Sequence, residues 1–281
     1  MIGRISQNGA DEELFPERRI PCRGRRGIRS LRDTREAYGI FSAGRGNKGL
    51  NEEGSFIHMK AALVYTSTTP ELIELVEKEV GAVLPSDTEV VSYEDPSILA
   101  EVRDAGYVTA PAAARLVGMY MKAVSEGADA ILNLCSSVGE VADAAQEIGR
   151  YTGIPIVRVD EEMCREAVRQ GRRIGVMATL PTTLNPTKNT IARVAREMNR
   201  QVELVDALVD GAFGLDQEQF KGLMSGYAEK LADQVDVILF AQGSMAYCEG
   251  YIHEKYGKVV LSSPRFGAAA LKGALVKKGL L

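Results

Sequence analysis

The sequence predicts an α/β protein built as two pseudo-symmetric parallel-sheet lobes with an active cleft between them. Two observations predict it. From residue 59 onward short apolar runs alternate with helical patterns, the way parallel βα units read. The first half of this alternation also resembles the second. Ala61-Ala62-Leu63-Val64-Tyr65-Thr66-Ser67-Thr68-Thr69-Pro70 matches Ile174-Gly175-Val176-Met177-Ala178-Thr179-Leu180-Pro181-Thr182-Thr183 at an offset of 113 residues. Asp129-Ala130-Ile131-Leu132-Asn133-Leu134-Cys135-Ser136-Ser137 matches Asp236-Val237-Ile238-Leu239-Phe240-Ala241-Gln242-Gly243-Ser244 at 107. Two matches in the same order and at similar offset describe two copies of one unit, roughly 59–160 with the C-terminal helix, and 161–265.

Taken in order, Ala61–Tyr65 reads as a strand, and Thr66–Pro70 as a turn whose hydroxyls and proline start a helix over Glu71–Val80. Val90–Tyr93 is a strand leading into a polar loop, Glu94–Pro96. Pro111–Glu126 is a long helix with Ala114, Val117, Met121 and Val124 on one face, ended by Gly127. Ala130–Leu134 is an apolar run broken only by Asn133, and a helix-like segment follows Cys135-Ser136-Ser137. Strands at Ile154–Val159, Arg173–Ala178, Val202–Val205, Val237–Ala241 and Val259–Ser262 alternate with helices at Glu161–Gln170, Pro186 to about Asn199, Gln217–Gln234 and Ala268–Lys278. Cys164 falls on the apolar stripe of its helix with Met163, Ala167 and Val168, a core position.

Residues 1–58 stand apart. They are rich in Arg and Gly, lack apolar periodicity, and carry 11 Lys and Arg against 8 Asp and Glu. Such a segment cannot bury enough surface to offset its ordering entropy, so it reads as a disordered or loosely attached extension ahead of Met59. Gly44-Arg45-Gly46-Asn47-Lys48-Gly49 fits a dinucleotide-binding fingerprint, but no apolar helical pattern follows it, and the fingerprint requires one.

Composition removes several function classes. A formal net charge of −4 speaks against nucleic-acid binding, which needs a basic face. No apolar run approaches the roughly 20 residues of a membrane span, and no secretory h-region opens the chain, so it reads as soluble and cytoplasmic. The cysteines Cys22, Cys135, Cys164 and Cys248 have no paired spacing, and His58 and His253 are the only histidines, so no metal centre and no disulfide framework is expected.

The strand-end loops supply one thiol, one amide and many hydroxyls: Ser67, Thr68, Cys135, Ser136, Ser137, Thr179, Thr182, Thr183, Gln242, Gly243 and Ser244. Hydroxyls and helix N-terminal amides at the carboxyl ends of parallel strands suit a small carboxylate-bearing substrate. They offer no lysine for a pyridoxal phosphate imine, no paired carboxylates and no histidine. Cys135 at a strand-to-helix turn has a physical reason to be reactive, and a buried, inert cysteine is the alternative.

Met59–Leu281 resembles the aspartate/glutamate racemase superfamily, which includes hydantoin racemases. The resemblance lies in Leu134-Cys135-Ser136-Ser137, in Ala178-Thr179-x-x-Thr182-Thr183 and in the closing Ser262-Ser263-Pro264-Arg265-Phe266-Gly267. It implies a duplicated α/β fold, a dimer or higher oligomer, and an isomerase that needs neither pyridoxal phosphate nor metal. Cys135 takes the place of one acid/base cysteine, with Ser136 and Ser137 as its carboxylate-binding neighbours. The second cysteine of the family falls at Gln242, which cannot titrate. Three readings follow. Another group, such as Cys248, Tyr247 or the Asp160-Glu161 pair, returns the proton; or one cysteine acts alone, as in a decarboxylase or cis–trans isomerase; or the protein binds carboxylates without catalysis.

Overall fold

The strand order and its register follow from two sheets folded on the same plan. A computed structural model describes residues 59–66, 69–212 and 215–281, so the extension expected over 1–58 lies outside the described residues. In the first lobe β1 (Lys60–Tyr65), β2 (Glu89–Glu94), β3 (Ala130–Asn133) and β4 (Ile156–Arg158) form a parallel sheet in the order β2-β1-β3-β4. In the second, β5 (Arg173–Ala178), β6 (Glu203–Leu208), β7 (Val237–Phe240) and β8 (Val259–Ser262) take the corresponding order β6-β5-β7-β8. Along the first lobe the connections run through α1 (Pro70–Val83), α2 (Pro96–Ala105), α3 (Ala110–Ser125), α4 (Gly139–Ala144) and α5 (Gln146–Thr152). The remaining helices are α6 (Glu161–Gln170), α7 (Pro181–Glu197), α8 (Gln217–Ala232), α9 (Glu249–Tyr256) and α10 (Ser263–Lys277).

The repeat extends to individual pairs. Lys60 lies opposite Glu89 in β1 and β2, as Arg173 lies opposite Glu203 in β5 and β6, and both pairs are ion pairs, at 3.0 and 3.4 Å. Ahead of β3 the Asp129 carboxylate accepts from the Lys60 amide at 3.0 Å. Ahead of β7 the Asp236 carboxylate accepts from the Arg172 and Arg173 amides, each at 2.8 Å.

A local signal starts α1 close to where expected, whereas α7 and α10 each start five residues earlier than expected, at Pro181 and Ser263. The Thr69 hydroxyl accepts from the Leu72 amide at 3.3 Å, with Pro70 in the first helical position. The loop at Glu94–Pro96 is a correction: Asp95 and Pro96 are the cap and first residue of α2, whose Ile98 and Val102 are buried one turn apart. The segment after Cys135 is also not one helix. It is a 3-10 turn at Ser136–Val138 followed by the short helices α4 and α5. Gly127 takes φ +82°, the left-handed position expected where a helix stops.

Coverage of the sheets ties the lobes together. The α2–α3 side of the first sheet holds Ile98, Leu116, Tyr120 and Ile131. Its other face is closed by α1 and by α10, whose Ala268, Leu271 and Leu275 pack with Leu63, Tyr65 and Leu132. Yet α10 follows β8, the last strand of the second lobe. Conversely α6 follows β4, the last strand of the first lobe, and packs with α7 on the second sheet through Met163, Cys164, Ala167 and Val168. Burying a leucine contributes about 1.5–3 kcal/mol, so each lobe depends on a helix reached from the other. Among the described residues no helix is long and apolar enough to cross a membrane.

Amides of Arg173 and Arg172 hold the Asp236 carboxyl below its ordinary range. A carboxyl lowered in the folded state contributes stability above its unfolded pKa and loses it as pH falls. Asp236→Ala is therefore expected to lower Tm by roughly 2 °C at pH 7. Thermal melts from pH 7 to pH 3 check this, with the gap to wild type closing in acid.

Candidate active site

Cys135 stands two residues beyond β3, in extended backbone, immediately before the Ser136–Val138 turn. It is 8 % exposed, and Ser136 and Ser137 are buried beside it. Burial pushes the Cys135 thiol up. Four groups work against that: the Thr66 hydroxyl at the end of β1, the backbone N–H groups of Ser137 and Val138, and the Ser137 hydroxyl. Thr66 is fully buried, and among the described residues its hydroxyl has no hydrogen bond of ordinary geometry that competes with the sulfur. The Cys135 backbone is held from behind. Tyr120 donates to Asn133 at 3.0 Å, and Asn133 donates to the Cys135 carbonyl at 3.0 Å, all within the core. The polar residue that interrupts the apolar run of β3 is thus the support of the turn.

Gln242 occupies the corresponding place in the second lobe, two residues beyond β7 and immediately before a 3-10 run at Gly243–Cys248. Its carbonyl oxygen accepts from the Thr179 amide at 2.7 Å, and its amide donates to the Thr179 hydroxyl at 2.6 Å. One N–H and one lone pair remain for a ligand. The side chain is therefore locked against the end of β5, as the thiol is set against Thr66 at the end of β1.

The two walls meet through hydroxyls. Ser137 and Thr183 share a hydrogen bond of 2.7 Å, with Thr183 in the first turn of α7. A hydroxyl donates once, so Thr183 donating to Ser137 leaves Ser137 free to donate to the thiolate. Thr182, whose buried hydroxyl has no partner among the described residues, lines with Ser137, Glu140, Asn185 and Asn189 a cleft of about 340 Å³. Across the pseudo-dyad, Gly243 lies against Leu72 of α1 and Ser263 of α10. Ser244 is exposed. Ser67 and Thr68 lie outside the described residues.

The other candidates for a second proton are buried or engaged with other side chains. Cys248 is fully buried with Met245 and Ile252, and burial pushes its thiol up to about 11. Tyr247 stacks on Phe220, with ring centroids 5.8 Å apart. Asp160 is committed to Arg158 through both carboxylate oxygens, and Glu161 bonds to Arg165 and Arg193. Among the described residues no group of three or more His, Cys, Asp and Glu side chains is placed to hold a metal ion. Residues 62–271 match the family described as Asp/Glu/hydantoin racemase.

The chain belongs to that family. Its fold is similar to allantoin racemase from Klebsiella pneumoniae, at 18% identity and a TM-score of 0.56, over 79% of this chain and 89% of that one. It is also similar to glutamate racemase isoform RacE1 from Bacillus anthracis, at 17% identity and a TM-score of 0.58, over 80% and 84%. Unliganded arylmalonate decarboxylase gives 16% identity and a TM-score of 0.50, over 77% and 93%. No curated protein matches the sequence significantly. Thr66, Tyr120 and Arg158 belong to the surroundings of Cys135, and no strand-end motif singled them out.

Alkylation of Cys135 should rise with pH and reach half its plateau above the ordinary thiol value of about 8.5, since burial outweighs its hydrogen bonds. Peptide mass spectrometry after timed iodoacetamide treatment reads each cysteine separately. Cys164 and Cys248, sealed in the two cores, should react more slowly than Cys135 at every pH.

Proposed function

We propose that the protein is a cofactor-independent, isomerase-type enzyme acting at a carbon α to a carboxylate, with Cys135 as its acid/base. Family membership supports the isomerase class. The observation that carries the mechanism is Cys135 at the end of β3, met by the Ser137 and Val138 amides, with Gln242 in the corresponding place beyond β7. A substrate carboxylate suits the hydroxyls and turn amides left around Cys135, those of Ser136 and Thr182 among them. Gln242 then orients the substrate with its free N–H and lone pair. With no titrating side chain at Gln242, a proton taken and returned by Cys135 alone comes back to the same face. At the original carbon it therefore exchanges with retention, and an isomer forms where the proton is returned to a different atom of the delocalised carbanion.

A second reading rests on the direction of the thiol's shift. A cysteine held protonated by burial is a proton donor in its resting state. That suits delivery of a proton to a carbanion left by loss of CO₂, a decarboxylation. The two readings share Cys135 and separate on whether CO₂ appears.

A panel of small amino acids, hydantoins and dicarboxylates, assayed by chiral chromatography and CO₂ release, tests both. Cys135→Ala should lose turnover by at least about a hundredfold, the scale of a missing acid/base group. It should keep ligand-induced thermal stabilisation, because the hydroxyls and Gln242 remain. Full turnover in Cys135→Ala would defeat the proposal. Gln242→Ala should raise KM by about tenfold and leave the pH profile of kcat in place.

A further inference from the structure

We propose that Arg158 is a positioning residue for Cys135, holding the turn whose amides meet the thiol. Arg158 lies in β4, opposite Asn133 of β3, and its side chain is 1% exposed. Its guanidinium grips Asp160 as a fork, Nε to Oδ1 and Nη2 to Oδ2, both at 2.9 Å, and Nη1 donates to Asp143 of α4 at 2.6 Å. The flat face of the group presses on Gly139. A Cβ at that position would lie 2.3 Å from Nη2 and 2.4 Å from Cζ, so a side chain there displaces the guanidinium or the turn. Gly139 directly follows Val138, one of the two residues whose N–H groups face the sulfur. The guanidinium therefore forms the floor of the turn, and the two carboxylates fix the floor.

This arrangement acts by shape. Asp143 and Asp160 take up the charge of Arg158 at hydrogen-bonding distance, and Asp143 also lies 4.0 Å from Arg193 of α7. A cation so engaged has little field left for a sulfur on the far side of a peptide turn. What it transmits is the height and tilt of the Val138–Gly139 backbone. The planar, forked geometry of arginine is required; a lysine supplies charge without the plate. Because Asp160 opens α6 and Asp143 belongs to α4, the same contact pins the Cys135 turn to the junction of the lobes.

The test is the pH profile of Cys135 alkylation in the full chain, read by peptide mass spectrometry, for wild type, Arg158→Lys and Gly139→Ala. Both variants should move the midpoint of the profile to higher pH and slow alkylation at pH 8 by about tenfold, the effect of weakening a hydrogen bond to a thiolate. The midpoint is the readout, because a loosened turn also admits reagent and raises the plateau. Should Arg158→Lys fail to fold, Gly139→Ala keeps all three charged groups and carries the test alone. An unchanged midpoint in a folded variant overturns the proposal and leaves Arg158 a structural ion pair. The consequence for turnover rests on Cys135 being the acid/base. The alkylation profile does not, so full activity in Cys135→Ala would sink the functional reading and leave this one standing.

Discussion

Each sheet of this protein needs a helix that the chain provides only after completing the other sheet. Leu271 and Leu275 of α10 close the face of the first sheet, and Met163 and Val168 of α6 close the corresponding face of the second. Neither lobe is fully covered by the run of chain that makes its strands. Parallel strands buried on both faces cannot leave one apolar face in water, so the exchange fixes the lobes against each other. It also brings the carboxyl ends of β3 and β5 together, where the Ser137–Thr183 hydrogen bond closes the contact. The cleft is thus a by-product of how the sheets are covered, and its two walls inherit the repeat.

Within that frame the walls have diverged in chemistry while keeping geometry. Cys135 and Gln242 have nearly the same backbone angles, stand the same distance beyond their strands, and each faces the threonine at the end of the neighbouring strand. On one side a thiol is buried, which disfavours its charge, and hydroxyl and amide donors partly restore it. On the other a neutral amide is held by two hydrogen bonds. In the proposed function one wall moves a proton and the other orients the substrate. On that proposal the asymmetry, set by a single residue, is what separates this chain's chemistry from a two-cysteine mechanism.

Much of this was legible in the sequence because it is written in periodicity. The apolar runs gave the strands, the paired offsets gave the second lobe, and Leu134-Cys135-Ser136-Ser137 pointed to the turn that matters. Three things were not. Asp95-Pro96 looks like loop chemistry, yet cap and first-turn proline are the same residues that open a helix, and Ile98 with Val102 completes α2. The segment after Cys135 has helical periodicity, but the turn at Ser136–Val138 winds more tightly to aim its amides at the sulfur. Arg158 falls inside the Ile154–Val159 strand, and no motif marks it. Its role depends on Asp143, Asp160 and Gly139 meeting in space, and no local pattern encodes that meeting.

The central claim is that one thiol, acting from one side, moves the proton. The most direct measurement is the configuration of product formed in D₂O, resolved by chiral separation with mass detection for whichever carboxylate the protein turns over. One thiol opposite a glutamine predicts a solvent deuteron delivered to a single face, giving labelled product of one hand. Labelled product of both hands in equal amounts would require a second donor on the Gln242 wall and would contradict the account.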